Sequence, residues 1–460
     1  MIEIVTKFLK KYQILYLVIF LAIYWLIRLP LYNYNYGWDG EDGNGLDTQI
    51  FVMNSKYSDS SLYARIDGQE QYSPISGHPA VPYRLFALLG SCVNLFIPLE
   101  NITDQQIILI IKIIVSTFQL LIYISFAFQL IKWVKNTIKR FISLFLLLLL
   151  SSAPISIYNS NEFQIDSFLG FIMIGIFFVS FKNYLQSKKK LAGILLLISS
   201  LFIGFGKNEW SIILLPSCVC ILLIHLLIQK FIKKGPVDNF LIKIITIVVA
   251  GNLIGNLVSY LYNQNAYLSG INLIIKTVTY GTLSGAPSNV LWWDVFLTRI
   301  PFIGTNLILI IIIFSYIFKY IKRINYYHLF LFIYSFSLFI AFFISSWGNY
   351  SRYFAPSLIG LIYVFLLYFT NKKLTKINFT LISFLLISTC FYSYNLLTDT
   401  NVKSQNSNYF VITDNKDSNC LPLIDKGRVY RRKDIDFFHM SYGYAAAQEI
   451  VKKYNKEICK

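Results

Sequence analysis

The chain is expected to be an all-α, polytopic membrane protein with about eleven transmembrane helices. Three observations predict this. Hydrophobic residues fill 56% of its 460 positions and charged residues only 14%, where a soluble domain carries about 25% charge. Long runs of Leu, Ile and Phe recur, many of them reaching the roughly 20 residues that cross a bilayer. The basic residues fall into clusters that divide these runs into pairs, as the preference of Lys and Arg for the cytoplasmic side requires.

The clusters are Lys7/Lys10/Lys11, Lys132/Lys135/Lys139/Arg140, Lys182/Lys188/Lys189/Lys190, Lys230/Lys233/Lys234, Lys319/Lys322/Arg323 and Lys372/Lys373/Lys376. With each taken as cytoplasmic, an even number of spans must separate neighbours. The runs 141–157 and 164–181, 190–206 and 209–229, 239–262 and 302–320, and 326–346 and 351–370 satisfy this as pairs. The first interval holds three apolar runs, 13–32, 80–98 and 105–131. The middle one carries Pro79, Pro82, Arg84, Asn94 and Pro98, and reads as a helix lying at the membrane interface. Residues 33–104 then form one large external loop, and a last span near 376–395 leaves the C-terminal tail, 396–460, outside as a small extracytoplasmic domain. The first span is followed by polar residues rather than a small-residue cleavage site, so it is expected to stay as an anchor. In the tail, Tyr409–Ile412 reads as a strand and Tyr444–Lys456 as a helix.

The net charge of +18 would suit a nucleic-acid binder, but the cytoplasmic clusters explain most of it and no nucleic-acid partner is expected. Of six cysteines, Cys92, Cys218, Cys220 and Cys390 lie in apolar runs and lack metal-ligand spacing, whereas Cys420 and Cys459 in the external tail could pair. Charged residues inside the spans look sparse, which disfavours an ion-coupled relay. No P-loop, nucleophile elbow, zinc-protease or dinucleotide signature occurs.

The polar residues that stand out share the predicted external face. Asp39, Glu41 and Asp42 follow the first span among Gly37, Gly40 and Gly43, whose lack of a side chain allows tight turns and close backbone approach to a ligand. A carboxylate there could act as a general base, bind a cation, or be a solvated turn; an EF-hand is a poor match because no Glu stands at its twelfth position. His78-Pro79 leads into the interfacial helix, where Arg84 could hold a lipid phosphate or simply snorkel. Asn161, Glu162 and Asp166 lie in a turn dense in hydrogen-bonding groups; Asp166, at the start of a span, is expected to face a cavity, with helix N-capping the competing reading for Asn161 and Glu162. Gly206-Lys207-Asn208-Glu209 joins two spans; Lys207 could hold a phosphate or make a surface ion pair with Glu209. Arg352-Tyr353-x-x-Pro356 opens a helix end, with a guanidinium suited to phosphate.

Taken in order, these elements resemble the GT-C superfamily of integral-membrane glycosyltransferases. The resemblance rests on Trp38-Asp39 with Glu41-Asp42, the His78-Pro79 stretch and its helix, the Gly206–Glu209 turn and the Arg352-Tyr353-x-x-Pro356 end, and covers residues 1–395 as one domain. It implies a polyprenyl-phosphate sugar donor in the bilayer, a glycan, lipid or protein acceptor, and inversion at the anomeric carbon. Asp39 (or Asp42) would deprotonate the acceptor, and Lys207, Arg352 and Arg84 would stabilise the departing lipid phosphate. It implies no cofactor, a divalent metal entering only with a diphosphate donor, and a plasma-membrane protein with a cytoplasmic N-terminus and an extracytoplasmic site. The alternatives are a lipid-linked glycan flippase, a polysaccharide polymerase or ligase, and a non-catalytic scaffold.

Overall fold

The structure, a computed structural model, describes residues 13–29, 80–98, 104–160, 163, 165–233, 236–280, 292–319, 325–344, 351–371, 420–422, 457–459 and scattered helical positions between 380 and 394. The described chain is helical apart from its connections and two short strands. In order the helices are α1 (Gln13–Arg28), α2 (Ala80–Asn94), α3 (Asp104–Trp133), α4 (Thr137–Ser151) and α5 (Pro154–Asn159). A π-helical turn, Ile165–Gly170, leads into α6 (Phe171–Ser187). Next come α7 (Lys190–Gly206), α8 (Asn208–Ile228), α9 (Asn239–Tyr262), α10 (Gln264–Tyr280), α11 (Trp292–Lys319) and α12 (Tyr326–Ile344). A 3-10 turn, Ser351–Phe354, opens α13 (Ala355–Asn371).

Among the described residues, five helices are long and apolar enough to cross a membrane: Leu109–Trp133, Ile165–Ser187, Asn208–Phe231, Asn239–Tyr262 and Tyr326–Phe343. Four shorter apolar helices, Leu15–Arg28, Lys190–Gly206, Ile303–Lys319 and Ala355–Thr370, match other expected spans. At 1.5 Å per residue a 17-residue helix covers about 25 Å, near the lower limit for a hydrocarbon core. The run 141–157 is not one helix. It breaks at Ser152–Ala153 before Pro154, whose ring and missing N–H favour the first turn of a new helix over the middle of an old one. The stretch 263–301, left without helices by the span count, holds α10 and the start of α11.

Helices α6 and α13 form the centre of the bundle. Residues 353–369 are buried without interruption, and α13 packs against α6, α11 and α12. Helix α9 is peripheral and two-faced. Leu253, Leu257 and Leu261, four residues apart and therefore on one stripe, are exposed. Gly251 and Gly255 lie against α7, where an added Cβ would come within 2.4 Å of the Leu197 carbonyl and 2.2 Å of the Leu201 carbonyl. Small residues at this spacing let two backbones touch where lipid supplies no hydrophobic drive between helices. Helix α2 packs on α7 and α9. Its buried Phe86 meets the rings of Phe163 and Phe168 at centroid distances of 4.4 and 6.0 Å, while Leu88, Leu95 and Phe96 stay exposed.

Connections that carry basic clusters gather at one end of the bundle. There Asp238 caps α9, accepting from the Phe240 and Leu241 amides, while its own N–H donates to His225 Nε2. The Tyr327 hydroxyl donates to Asp238 Oδ2 at 2.7 Å, and Phe240 sits between the rings of Tyr184 and Tyr327. Among the described residues, the π-helical turn meets α7 and the 3-10 turn before α13, and that 3-10 turn also packs on α5.

Charge inside the bundle is not sparse. Arg28, Lys112, Asp166, Lys207 and Glu209 are all buried among apolar helices. In the tail, two three-residue strands, β1 (Cys420–Pro422) and β2 (Glu457–Cys459), pair in parallel, with Cys420 opposite Glu457 and Cys459 opposite Pro422. The expected strand at 409–412 and helix at 444–456 lie outside the described residues, as does the backbone of Cys390; Cys218 is buried, and Cys92 and Cys220 are exposed.

Candidate functional site

At the end of the bundle opposite the basic loops, four of the residues singled out from sequence meet. Asp166 comes from the π-helical turn, Lys207 and Glu209 from the α7–α8 junction, and Tyr353 from the 3-10 turn before α13. A π-helical turn widens the backbone by one residue and re-aims its side chains, and all six residues of this one are buried. Lys207 has extended backbone between two helices that start and stop at it. Its Nζ lies 2.7 Å from Asp166 Oδ2 and 3.7 Å from Glu209 Oε1. It also lies over the faces of Tyr353 and Phe342, at 4.4 and 5.5 Å from the ring centroids. A desolvated ammonium is attracted by such faces. Burial works against the charge on Lys207, yet Asp166, Glu209 and Tyr353 together outweigh it and hold the ammonium above its ordinary value.

The alternative of a surface ion pair between Lys207 and Glu209 is therefore wrong. The Lys207 side chain is 0% exposed and that of Glu209 4%, because α7 and α8 meet inside the bundle end rather than on a protruding loop. Asp166 faces inward: its Oδ1 accepts from Trp210 Nε1 at 3.1 Å while Oδ2 takes Lys207. Sequence reasoning passed over Trp210, which is fully buried and helps to order the cluster. Its indole is clamped by two glycines. A Cβ on Gly170 would fall 2.5 Å from Trp210 Cζ2, and one on Gly206 2.7 Å from Cζ3. Gly206, noticed first as part of a phosphate-like turn, is thus needed to admit the indole.

Glu209 is the least satisfied member. Among the described residues neither carboxylate oxygen accepts a hydrogen bond, although Lys207 lies within ion-pair distance. Beside it, Asn208 donates through Nδ2 to the Tyr267 carbonyl at 3.2 Å. One turn on, Ser211, Asn252, Asn256 and Tyr267 form a linked polar set between α8, α9 and α10.

A second network runs from α1 towards Asp166. Arg28, in the last turn of α1, is wholly buried. It donates from Nε to Ser160 Oγ at 3.0 Å, from Nη2 to the Ser151 carbonyl at 2.7 Å and from Nη1 to the Tyr24 carbonyl at 3.2 Å, with its guanidinium 3.6 Å above the Tyr24 ring. Ser116 donates to the Ser160 carbonyl, and Gln119 Nε2 bridges the carbonyls of Asn159 and Ser167. The end of the helix that precedes the acidic knot is thereby tied to the segment that carries Asp166. Arg28 gave no sequence signal beyond a basic residue late in an apolar run.

The remaining expected site residues are reached only in part. Asp39, Glu41, Asp42, His78 and Asn161 lie outside the described residues. Arg84 falls within α2 and Arg352 within the 3-10 turn, as backbone positions. No group of three or more His, Cys, Asp or Glu that could hold a metal ion occurs among the described residues. No known family model matches the chain, and no curated protein matches it.

Proposed function

We propose that the chain is a membrane glycosyltransferase of the GT-C kind, moving a sugar from a polyprenyl-phosphate donor to an extracytoplasmic acceptor with inversion. The observation that carries the reading is the meeting of Asp166, Lys207, Glu209 and Tyr353. Three separate turns, singled out from sequence as one external face, supply one charged cluster at one end of the bundle. Asp39, or Asp42, is the base that deprotonates the acceptor hydroxyl. That hydroxyl attacks the anomeric carbon and the lipid phosphate leaves. Arg84 and Arg352 offer the fork of donors that stabilises the departing anion. Lys207 orders the cluster, being already engaged by two carboxylates. By the charge rule His78 and Asn161 belong to the same expected external face, extracytoplasmic in a plasma membrane. On this topology eleven spans place the N-terminus inside and the tail outside, and the reaction needs no cofactor.

The test is sugar incorporation into membranes supplied with a panel of polyprenyl-phosphate sugars. Wild type is expected to transfer from at least one donor, and either Asp39→Asn or Asp42→Asn to abolish transfer at normal expression. Transfer undiminished in both variants removes the acidic knot from the mechanism.

One observation favours a second reading. Ionisable groups buried among apolar helices, here Arg28, Lys112, Asp166, Lys207 and Glu209, commonly mark translocation paths. A lipid-linked glycan flippase would scramble such lipids across liposomes without consuming them, which the glycosyltransferase does not do.

A further inference from the structure

We infer that Glu209 is the sugar-binding residue of the donor subsite, accepting hydrogen bonds from hydroxyls of the glycosyl group, and that the lipid phosphate is held away from the Asp166–Lys207–Glu209 cluster. The inference rests on the glycosyltransferase reading and names what this cluster contacts in it.

Two observations carry it. The first is the pair of oxygens of Glu209 that accept no hydrogen bond while the side chain is 4% exposed. A buried carboxyl group without hydrogen-bond partners is costly, and sugar hydroxyls, which both donate and accept, can satisfy both of its oxygens. The second is the engagement of Lys207. Among the described residues its Nζ is held by Asp166 Oδ2 at 2.7 Å and lies 3.7 Å from Glu209 Oε1, so the ammonium already has its partner. Anionic phosphate oxygens are acceptors. A phosphate would have to displace Asp166 from its 2.7 Å contact with Nζ. Sugar hydroxyls have the opposite character: they donate to Glu209 without disturbing the Lys207–Asp166 pair, and a bond to an ionised acceptor is stronger than one between neutral groups. Trp210 and Gly206 hold the α7–α8 junction in place beneath the carboxylate.

The experiment is a set of calorimetric titrations of the full chain in lipid nanodiscs. The probes are ten-carbon prenyl-phosphate hexoses (glucosyl, mannosyl and galactosyl), the sugar-free ten-carbon prenyl phosphate, and single-deoxy analogues of the tightest hexose. Wild type is expected to bind the best sugar-bearing lipid at least tenfold more tightly than the sugar-free one, with at least one deoxy analogue losing tenfold or more. Glu209→Gln is expected to erase that deoxy discrimination while binding the sugar-free phosphate within twofold of wild type. Glu209→Asp, which keeps the charge and shortens its reach, is expected to do the same and serves if the Gln variant does not fold. Equal wild-type affinity for sugar-bearing and sugar-free lipids overturns the subsite and leaves the lipid-phosphate reading standing. Discrimination retained in either folded variant also overturns it. Binding of none of the probes removes the subsite and the glycosyltransferase reading together.

Discussion

Replacing Lys207 by Met takes away the cation that sits between two buried carboxylates. At 2.7 Å from Asp166 Oδ2, the gross attraction is about 6 kcal/mol at an effective dielectric near 20. Most of that offsets the cost of burying the two charges. The net effect of removing one partner is larger than the net value of the pair, because Asp166 is left buried without its cation and keeps only the Trp210 Nε1 hydrogen bond. Breaking such a pair costs about 3–5 kcal/mol. Asp166→Asn is milder, since the amide oxygen can still accept from Trp210 Nε1 and Lys207 keeps Glu209 within ion-pair distance. The double variant strands less, so its loss should fall short of the sum of the single losses by about 1–3 kcal/mol. The assay is the fraction of monodisperse protein remaining after a temperature series in detergent, for wild type, both single variants and the double. A Lys207→Met loss below about 1 kcal/mol, the range of exposed pairs, would mean that the ammonium is solvated and that the buried cluster is wrong. Simple additivity would mean that Lys207 and Asp166 are not coupled.

Gly170→Ala should destabilise by about 1–3 kcal/mol through overpacking, read by the same heating series, since its Cβ would meet both Trp210 and Pro356 within 2.9 Å. Gly255→Ala should be worse than Gly170→Ala, because the obstructing atom is a backbone carbonyl of α7 that no rotamer change can move; equal losses would refute the close α7–α9 contact. Asp238→Ala should cost about 1 kcal/mol as a lost helix cap. Burial tends to raise the Asp238 carboxyl, but the Tyr327 hydroxyl and the Leu241 and Phe240 amides outweigh it and hold it below the ordinary value. Its contribution is therefore fully present above the unfolded value near 3.9 and is lost as pH falls through the lower folded value. A stability profile below about pH 4 should be flatter in Asp238→Asn than in wild type; a steeper one would contradict the assignment.

The helical membrane architecture was legible in the sequence because its causes are local. Span length follows from bilayer thickness, and the sorting of basic loops from the charge rule, so most helices appear where apolar runs predicted them. The break at Ser152–Ala153 was signalled by Pro154 and missed, because an apolar run conceals a change of direction. Helix α10 was missed because Gln264–Tyr280 is too polar to register as a span. The residue types of the site were legible too: Asp166, Lys207, Glu209 and Tyr353 stood out as polar groups beside apolar runs. Their relation was not. Asp166 and Lys207 are 41 residues apart in sequence, and whether an ammonium at a helix junction is solvated or buried depends on what packs over it. The pairing of Lys207 with Asp166, the clamp on Trp210 and the burial of Arg28 arise only when the π-helical turn, the α7–α8 junction and the start of α13 are brought to one end of the bundle. The sequence by itself determined which segments are apolar and which polar groups lie at their ends; the tertiary structure decided which charges face one another, because that is a matter of distance and desolvation, not of order along the chain.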